Sequence, residues 1–401
     1  MNTLAIYGGE PVRKTMLMYG KQSIDEDDIR FVVEVLKGPF LTTGPNINEF
    51  EKRIAKYVGV KYAVAVANGT AALHMAVYAA GITKGDEVLV PSMTFAASAN
   101  CILYCGGVPV FVDIDSKTYN IDLEDLKTKI TNKTKAIIPV DFTGQSVMID
   151  EIMEIAKENN LIVIEDGAHS LGSEYKGEKV GRKADMTMFS FHPVKPITTA
   201  EGGVIVTNDI ELYERMILFR SHGITRKPEQ LIKDDGPWYY EQQLLGYNYR
   251  LTDVQGALGI SQMNKLDSFI KRRKEIVEYY NEKLANIEEL DLPYEIPESN
   301  SGWHIYVVRL KLEKLTVGRR EIFEALREEN IGVNVHYIPV HYHPYYKELG
   351  YNKGITPKAE KLYEEMFTIP LYPGMSNQDA KDVVNALEKV IGYYRKKIIS
   401  M

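Results

Sequence analysis

Tyr62-Ala-Val-Ala-Val66-Ala-Asn-Gly-Thr-Ala-Ala-Leu-His-Met-Ala76 reads as a β-rich run, a tight turn at Asn68-Gly69 and a helix that begins near Thr70. The same alternation recurs downstream. Glu87-Val-Leu-Val90, Val108-Pro-Val-Phe-Val112, Ala136-Ile-Ile-Pro-Val140 and Leu161-Ile-Val-Ile164 are short apolar runs with helical patterns between them. Such alternation predicts a mostly parallel sheet sandwiched by helices, an α/β fold. Met186-Thr-Met-Phe-Ser-Phe191 and Gly203-Val-Ile-Val-Thr207 follow, separated by a loop too short for a crossover helix. These two are therefore expected to run antiparallel.

Beyond Asn248-Tyr-Arg250, the box Thr252-Asp-Val-Gln255 offers a side-chain cap and a reciprocal glutamine. It predicts one long helical stretch towards Leu284 that links two domains. Ser301-Gly-Trp-His-Ile-Tyr-Val-Val-Arg-Leu310 and a terminal helix from about Asn377 read as a smaller α/β unit. The expected division is 1–255, an N-terminal arm and large domain, and 256–401, the linking helix and a small C-terminal domain.

The 401 residues are 45% hydrophobic, enough for a large core. A net charge of -7 and a pI of about 5.8 argue against a general polyanion binder, so nucleic acid is not an expected partner. The start, Met1-Asn-Thr-Leu-Ala-Ile-Tyr-Gly-Gly, has neither the basic region nor the long apolar core of a signal peptide, and no apolar run reaches membrane-spanning length. The expectation is a cytoplasmic protein. The two cysteines, Cys101 and Cys105, are spaced to share one helix face and are expected to be buried thiols, not a redox or zinc pair.

The chemistry centres on Lys195, in Phe189-Ser-Phe-His-Pro-Val-Lys195-Pro-Ile-Thr-Thr-Ala-Glu-Gly-Gly203. An amine held among Ser, Thr and Gly suits an aldehyde cofactor. Asp166 ends the strand candidate Leu161–Asp166, where a parallel sheet presents side chains to a ligand crevice. Together they suggest pyridoxal phosphate, with Lys195 as the Schiff-base amine and Asp166 paired to the protonated pyridine nitrogen. The amides of Gly69 and Thr70, with the threonine hydroxyl, would hold the phosphate at a helix N-terminus. Ser190 offers a second phosphate contact. His169 would meet the cofactor phenolate or tune the Asp166 carboxylate, and the flat ring of Phe95 would stack on the pyridine face.

Val335-His-Tyr-Ile-Pro-Val-His-Tyr-His-Pro-Tyr-Tyr346 gathers three of the eight histidines. His336, His341 and His343 do not match a helical zinc pair and the run holds no carboxylate, so no metal is expected. The run reads instead as a polar aromatic wall for a sugar-like substrate. No Gly-x-Gly-x-x-Gly follows the first strand, which disfavours a nicotinamide dehydrogenase. A non-catalytic cofactor-binding regulator is disfavoured by the lack of a DNA-binding module.

With these residues assembled, the chain resembles the DegT/DnrJ/EryC1/StrS family, the pyridoxal-phosphate sugar aminotransferases of fold type I, the aspartate aminotransferase-like superfamily. The resemblance covers nearly the whole chain. It runs from Leu41-Thr-Thr-Gly-Pro45 through Asn68-Gly-Thr-Ala-Ala-Leu-His, Gly85-Asp-Glu-Val-Leu-Val-Pro-Ser-Met-Thr-Phe95 and the Asp166 and Lys195 motifs to Asn248-Tyr-Arg250 and the His336 loop. It implies a large domain with a mostly parallel seven-stranded sheet between helices and a smaller C-terminal α/β domain. It also implies that Lys195, Asp166, Gly69, Thr70 and Ser190 hold the cofactor, and that Asn248 reaches the phosphate of the neighbouring subunit in a homodimer with shared sites. Tyr19, Thr42, His336 and Tyr337 would line the nucleotide-sugar pocket.

Phe191-His-Pro-Val-Lys-Pro-Ile-Thr-Thr-Ala-Glu-Gly-Gly203, Ala168-His-Ser-Leu-Gly-Ser-Glu-Tyr175 and Phe219-Arg-Ser-His-Gly223 look most like the subgroup that aminates a UDP-linked 4-keto-6-deoxy sugar, with L-glutamate as donor. Other members more often carry Gly at position 200 and Gln at 169. Relatives that replace the lysine with histidine dehydrate sugars instead. Lys195 is retained here, so transamination is the expected reaction.

Overall fold

The structure is a computed structural model and describes residues 3–396. Seven strands form the central sheet: β1 (Tyr62–Val66), β2 (Glu87–Pro91), β3 (Val108–Val112), β4 (Thr134–Ile137), β5 (Ile162–Asp166), β6 (Met186–Ser190) and β7 (Gly203–Thr207). Their order is β1-β7-β6-β5-β4-β2-β3. β2, β3, β4, β5 and β6 pair in parallel, while β7 is antiparallel to both its neighbours, β1 and β6. The expected antiparallel pair on either side of the Lys195 loop is therefore present. β4 is shorter than its apolar run suggests, because Pro139 has no N–H for the ladder. Its carbonyl still accepts from the Asp166 N–H at 2.8 Å.

Both faces of the sheet are covered, so its strands read as unbroken apolar runs. Val64, Val66, Met188 and Ile205 pack on one side with the helix Gly69–Ala79. Ala63, Ala65, Phe189, Val204 and Val206 pack on the other with Phe50 and Ile54 of the helix Pro45–Val58. The period of two along each strand sends alternate residues to opposite cores.

Thr252 caps the helix Asp253–Met263 as its sequence foretells, with Gln255 closing the reciprocal bond. The helix does not continue to Leu284. It closes on bonds reaching back three residues, Asn264 N–H to Ser261 O and Lys265 N–H to Gln262 O, and a second helix runs Leu266–Leu284. Lys265 is held at this break by Asp28 at 2.5 Å and Asp25 at 2.8 Å. The helix Asn377–Tyr394 begins with a Ser376 capping box.

The C-terminal body is built on a three-stranded antiparallel sheet of Leu290–Asp291, Tyr306–Leu310 and Met366–Ile369. Leu4 and Leu17 pack in its core with Tyr280, Tyr306 and Leu387. The N-terminal arm thus differs from the expected grouping with residues up to 255. Glu329, buried in the C-terminal body, accepts the N–H groups of Ala5 and Val12 and ties the arm there. Cys101 is a buried free thiol and Cys105 a half-buried one. Among the described residues, no helix is long and apolar enough to cross a membrane.

Candidate active site

β1 leads into Asn68-Gly69, β5 ends on Asp166, β6 ends on Ser190, and the loop returning as β7 carries Lys195. These points share the carboxyl edge of the sheet, where open α/β sheets bind ligands. A cavity of about 810 Å3 opens there, with Gly69, Thr70, Asp166, Ser190 and Lys195 in its lining.

The Lys195 loop is an extension of the β6–β7 pairing. Phe191 N–H donates to Gly202 O (2.9 Å), Thr199 N–H to Phe191 O (3.0 Å), and Lys195 N–H closes a turn on His192 O (2.9 Å). The Thr198 hydroxyl donates to the same Phe191 carbonyl at 3.0 Å. Ala200 in this loop has φ 66°, in the left-handed region. That conformation costs an L-residue about 1–2 kcal/mol, against about 0.5–1 kcal/mol of extra chain entropy for glycine. Ala200→Gly is therefore expected to raise stability to urea by about 0.5 kcal/mol. A lowered urea midpoint would contradict this account of the loop.

Surrounding protein brings the Lys195 amine down to about 8, with burial the main cause and the Asp166 charge opposing it. Burial also raises the Asp166 carboxyl above its ordinary range, opposed by the Ser98 hydroxyl, the Ala168 N–H and the Lys195 charge. Ser98 donates to Oδ2 at 2.6 Å and Ala168 N–H to Oδ1 at 3.1 Å. Ser98 is itself bonded to the Thr94 hydroxyl at 2.7 Å. A buried carboxylate held by neutral donors at the wall of a cavity suits a protonated ring nitrogen as its charge partner.

Asn68 caps the helix Gly69–Ala79 by accepting the Ala71 N–H at 2.8 Å. The Gly69 and Thr70 N–H groups have no intrahelical acceptor, as at any helix start, the first such bond running from Ala72 N–H to Asn68 O. A Cβ at Gly69 would lie 3.2 Å from the Ser190 Oγ, so this hydroxyl sits directly over the turn. Free amides, two hydroxyls and the positive end of a helix dipole make a cradle for a phosphate. The cavity residues thus fit pyridoxal phosphate at both of its ends.

The remaining wall is polar and aromatic. His169 is buried and lines the cavity, and its Nε2 lies 3.1 Å from the Tyr337 hydroxyl. Its ring centroid is 4.4 Å from that of His304. Phe95 lines the cavity with 60% of its surface exposed, its ring tilted against Tyr337. Tyr19 lies 5.1 Å from His336 between ring centroids. The His336 Nδ1 is 2.8 Å from Thr368 Oγ1, and its Nε2 is 3.3 Å from the Asn334 amide nitrogen. The Asn334 oxygen is taken by the Val335 N–H, so its nitrogen donates and the His336 proton is assigned to Nδ1. Burial and the Lys195 charge bring His336 down to about 4, leaving the ring neutral.

Only the first part of the histidine run forms the wall. His341 turns into the protein and meets Glu360 at 3.0 Å, while the Tyr346 hydroxyl donates to Asn100 at 2.6 Å. Thr42 and Asn248 are exposed and are not among the residues lining the cavity, although Tyr249, next to Asn248, is. Ser98, Thr94, His304 and Asn334 were not anticipated from the sequence. The Thr94–Ser98 spacing was the one available signal, since residues four apart on a helix start share a face.

The fold and cavity define a fold type I pyridoxal-phosphate enzyme. Residues 22–388 match the model of the DegT/DnrJ/EryC1/StrS aminotransferase family, and the chain belongs to that family. It is similar to the UDP-4-amino-4,6-dideoxy-N-acetyl-beta-L-altrosamine transaminase of Campylobacter jejuni, 39% identical with 95% of this chain and 99% of that one covered. The GDP-perosamine synthase of Escherichia coli O157:H7 is 37% identical, covering 94% and 98%. Among solved structures, Helicobacter pylori PseC, an aminotransferase involved in the biosynthesis of pseudoaminic acid, superimposes with a TM-score of 0.89 at 31% identity, covering 95% of this chain and 100% of that one. The PLP form of the putative sugar aminotransferase Spr1654 from Streptococcus pneumoniae gives 0.87 at 31% identity, covering 94% and 99%. This chain is accordingly a pyridoxal-phosphate-dependent sugar aminotransferase.

Proposed function

We propose that the chain transfers an amino group from L-glutamate to the C4 keto group of a nucleotide-linked 4-keto-6-deoxy sugar of the UDP-4-keto-6-deoxy-N-acetylhexosamine type. The proposed unit is a homodimer with shared sites, acting in amino-sugar or surface-glycan biosynthesis. The carrying observation is one cavity with Lys195 and Asp166 in its wall, a phosphate cradle at Gly69, Thr70 and Ser190, and a neutral aromatic wall of Tyr19, His336 and Tyr337. Likeness to the altrosamine transaminase and to PseC supports the sugar.

When bound, pyridoxal phosphate supplies an aldehyde carbon and an electron-withdrawing ring beside which an α-proton becomes removable. Lys195 would hold that carbon through its neutral Nζ, and the donor's amino group would take its place and free the Nζ. The same Nζ then takes a proton from the α-carbon of the donor, and in the second half of the cycle delivers one to C4 of the sugar. Asp166 keeps a proton on the ring nitrogen. Gly69, Thr70 and Ser190 anchor the phosphate, joined by Asn248 of the partner subunit. Tyr19, Thr42, His336 and Tyr337 contact the nucleotide sugar, and neutral wall imidazoles leave its hydroxyls to be met by hydrogen bonds.

Two pH effects follow. An amine near 8 is half neutral at that pH, so cofactor uptake by the apoenzyme should accelerate as pH rises through about 8 and then level off. A midpoint near 10.5, the ordinary lysine value, would show that burial does not activate Lys195. The Ser98 bond lowers the Asp166 carboxyl, and Ser98→Ala removes that support. The acidic limb of the kcat profile should move to higher pH in Ser98→Ala; an unmoved limb would count against an ionised Asp166 in turnover.

A second reading, a GDP- or dTDP-linked or C3-keto sugar as acceptor, is favoured by the likeness to GDP-perosamine synthase. Incubation with L-glutamate and a panel of UDP-, dTDP- and GDP-linked keto sugars, following 2-oxoglutarate and product mass, tests both. A single 4-amino product from the UDP-linked 4-keto-6-deoxy sugar is expected. Turnover of only a GDP- or dTDP-linked sugar would favour the second reading, and no turnover of any keto sugar would refute both.

A further inference from the structure

His74 is buried and absent from the residues lining the cavity, yet four aromatic rings close around it. Its Nδ1 lies 3.1 Å from the Tyr249 hydroxyl. Tyr247 and Tyr249 stack on each other at 4.9 Å and 19° and both are T-shaped to the His74 ring. The segment that bears them is extended and tied down on both sides. Tyr249 N–H donates to Arg220 O (3.0 Å), Ala67 N–H donates to Tyr249 O (2.8 Å), and Val66 bridges to Arg250. Side chains alternate along an extended segment, so residues 247 and 249 share the face held by His74 and residue 248 takes the other. Asn248 is exposed.

We propose that His74 is a positioning residue for Asn248, and that it serves the cofactor-phosphate site of the partner subunit, not the site of its own chain. The inference rests on the reading given above, in which Asn248 crosses the dimer interface. His74 clamps the two tyrosines; the clamp fixes the backbone between them and points Asn248 outward. The bond from Ala67 to Tyr249 places this segment beside the turn of the chain's own cradle, from which Asn248 faces away.

Mixed dimers separate action within a chain from action across the interface. In a first dimer, a His74→Phe subunit is paired with a Lys195→Ala subunit. The one covalent site is then built on the His74→Phe chain and receives Asn248 from a chain with intact His74. In a second dimer, a wild-type subunit is paired with a subunit carrying both changes, and the one covalent site receives Asn248 from the altered chain. Dissociation of pyridoxal phosphate from the remaining Lys195 is read by absorbance, against a wild-type and Lys195→Ala mixed dimer as control.

The first dimer is expected to match the control. The second should hold the cofactor about fivefold more weakly, the worth of one hydrogen bond. His74→Asn, whose amide can meet the Tyr249 hydroxyl, should restore the control value in the second arrangement. Weakening in the first dimer, or in neither, overturns the proposal. Asn248→Ala in the same two arrangements tests the underlying reading. If it fails to weaken the second dimer, that reading falls; if it weakens the second and His74→Phe does not, the inference about His74 alone falls. Should His74→Phe chains not assemble, Tyr249→Phe removes the same bond from its other end and is expected to act in the second arrangement.

Discussion

Lys195→Ala is expected to lower multiple-turnover transamination by at least about 10^4-fold, the combined loss of a nucleophile and a general acid–base group. The same change should let pyridoxal phosphate leave on dialysis, since the covalent attachment is gone while the Gly69 and Ser190 cradle remains. The fold should survive. The loop is held by backbone bonds of Phe191, Thr199 and Gly202 and by the Thr198 hydroxyl, none of which involves the lysine side chain. Loss of activity with an unchanged circular dichroism spectrum and unchanged native mass is the predicted result. Turnover at a tenth of the wild-type rate or more would remove Lys195 from the chemistry.

Asp166→Asn is expected to have the second largest effect, a fall in kcat/KM of roughly 10^2-fold to a few thousandfold. Breaking a buried ion pair typically costs about 3–5 kcal/mol, which corresponds to a change of that size. Asn keeps the shape of Asp and can still accept the Ala168 N–H, so the loss isolates charge from packing. Asp166→Glu retains the charge but pushes the carboxylate further into the cavity, and should also be impaired. Steady-state kinetics with saturating cofactor is the check. An Asn variant within a few-fold of wild type would mean that the ring nitrogen has no need of an anionic partner here.

Much of this architecture could be read before any coordinates. The antiparallel β6–β7 pair was legible because the residues between Ser190 and Gly203 cannot hold a crossover helix, a constraint local in the chain. The Thr252–Gln255 cap was legible for the same reason. The break at Asn264–Lys265 was not, because Lys265 is held by Asp25 and Asp28, partners far upstream that no local pattern reveals. In the cavity, Lys195, Asp166, Gly69, Thr70 and Ser190 were legible because each sits at a strand end or turn whose position along the sheet follows from the alternation. Ser98 escaped notice because its bond to Asp166 spans separate βα units. His304 reaches His169 only through the packing of the C-terminal body on the sheet. The histidine run divided where Glu360, outside the run, draws His341 away from the wall.

The central claim is that the amine of Lys195 bonds covalently to the cofactor. Borohydride reduction of the pyridoxal-phosphate-loaded protein, followed by proteolysis and mass spectrometry, tests it most directly. A single modified peptide with the label on Lys195 is predicted. A label on any other lysine, or a loaded protein that yields no modified peptide, would contradict it.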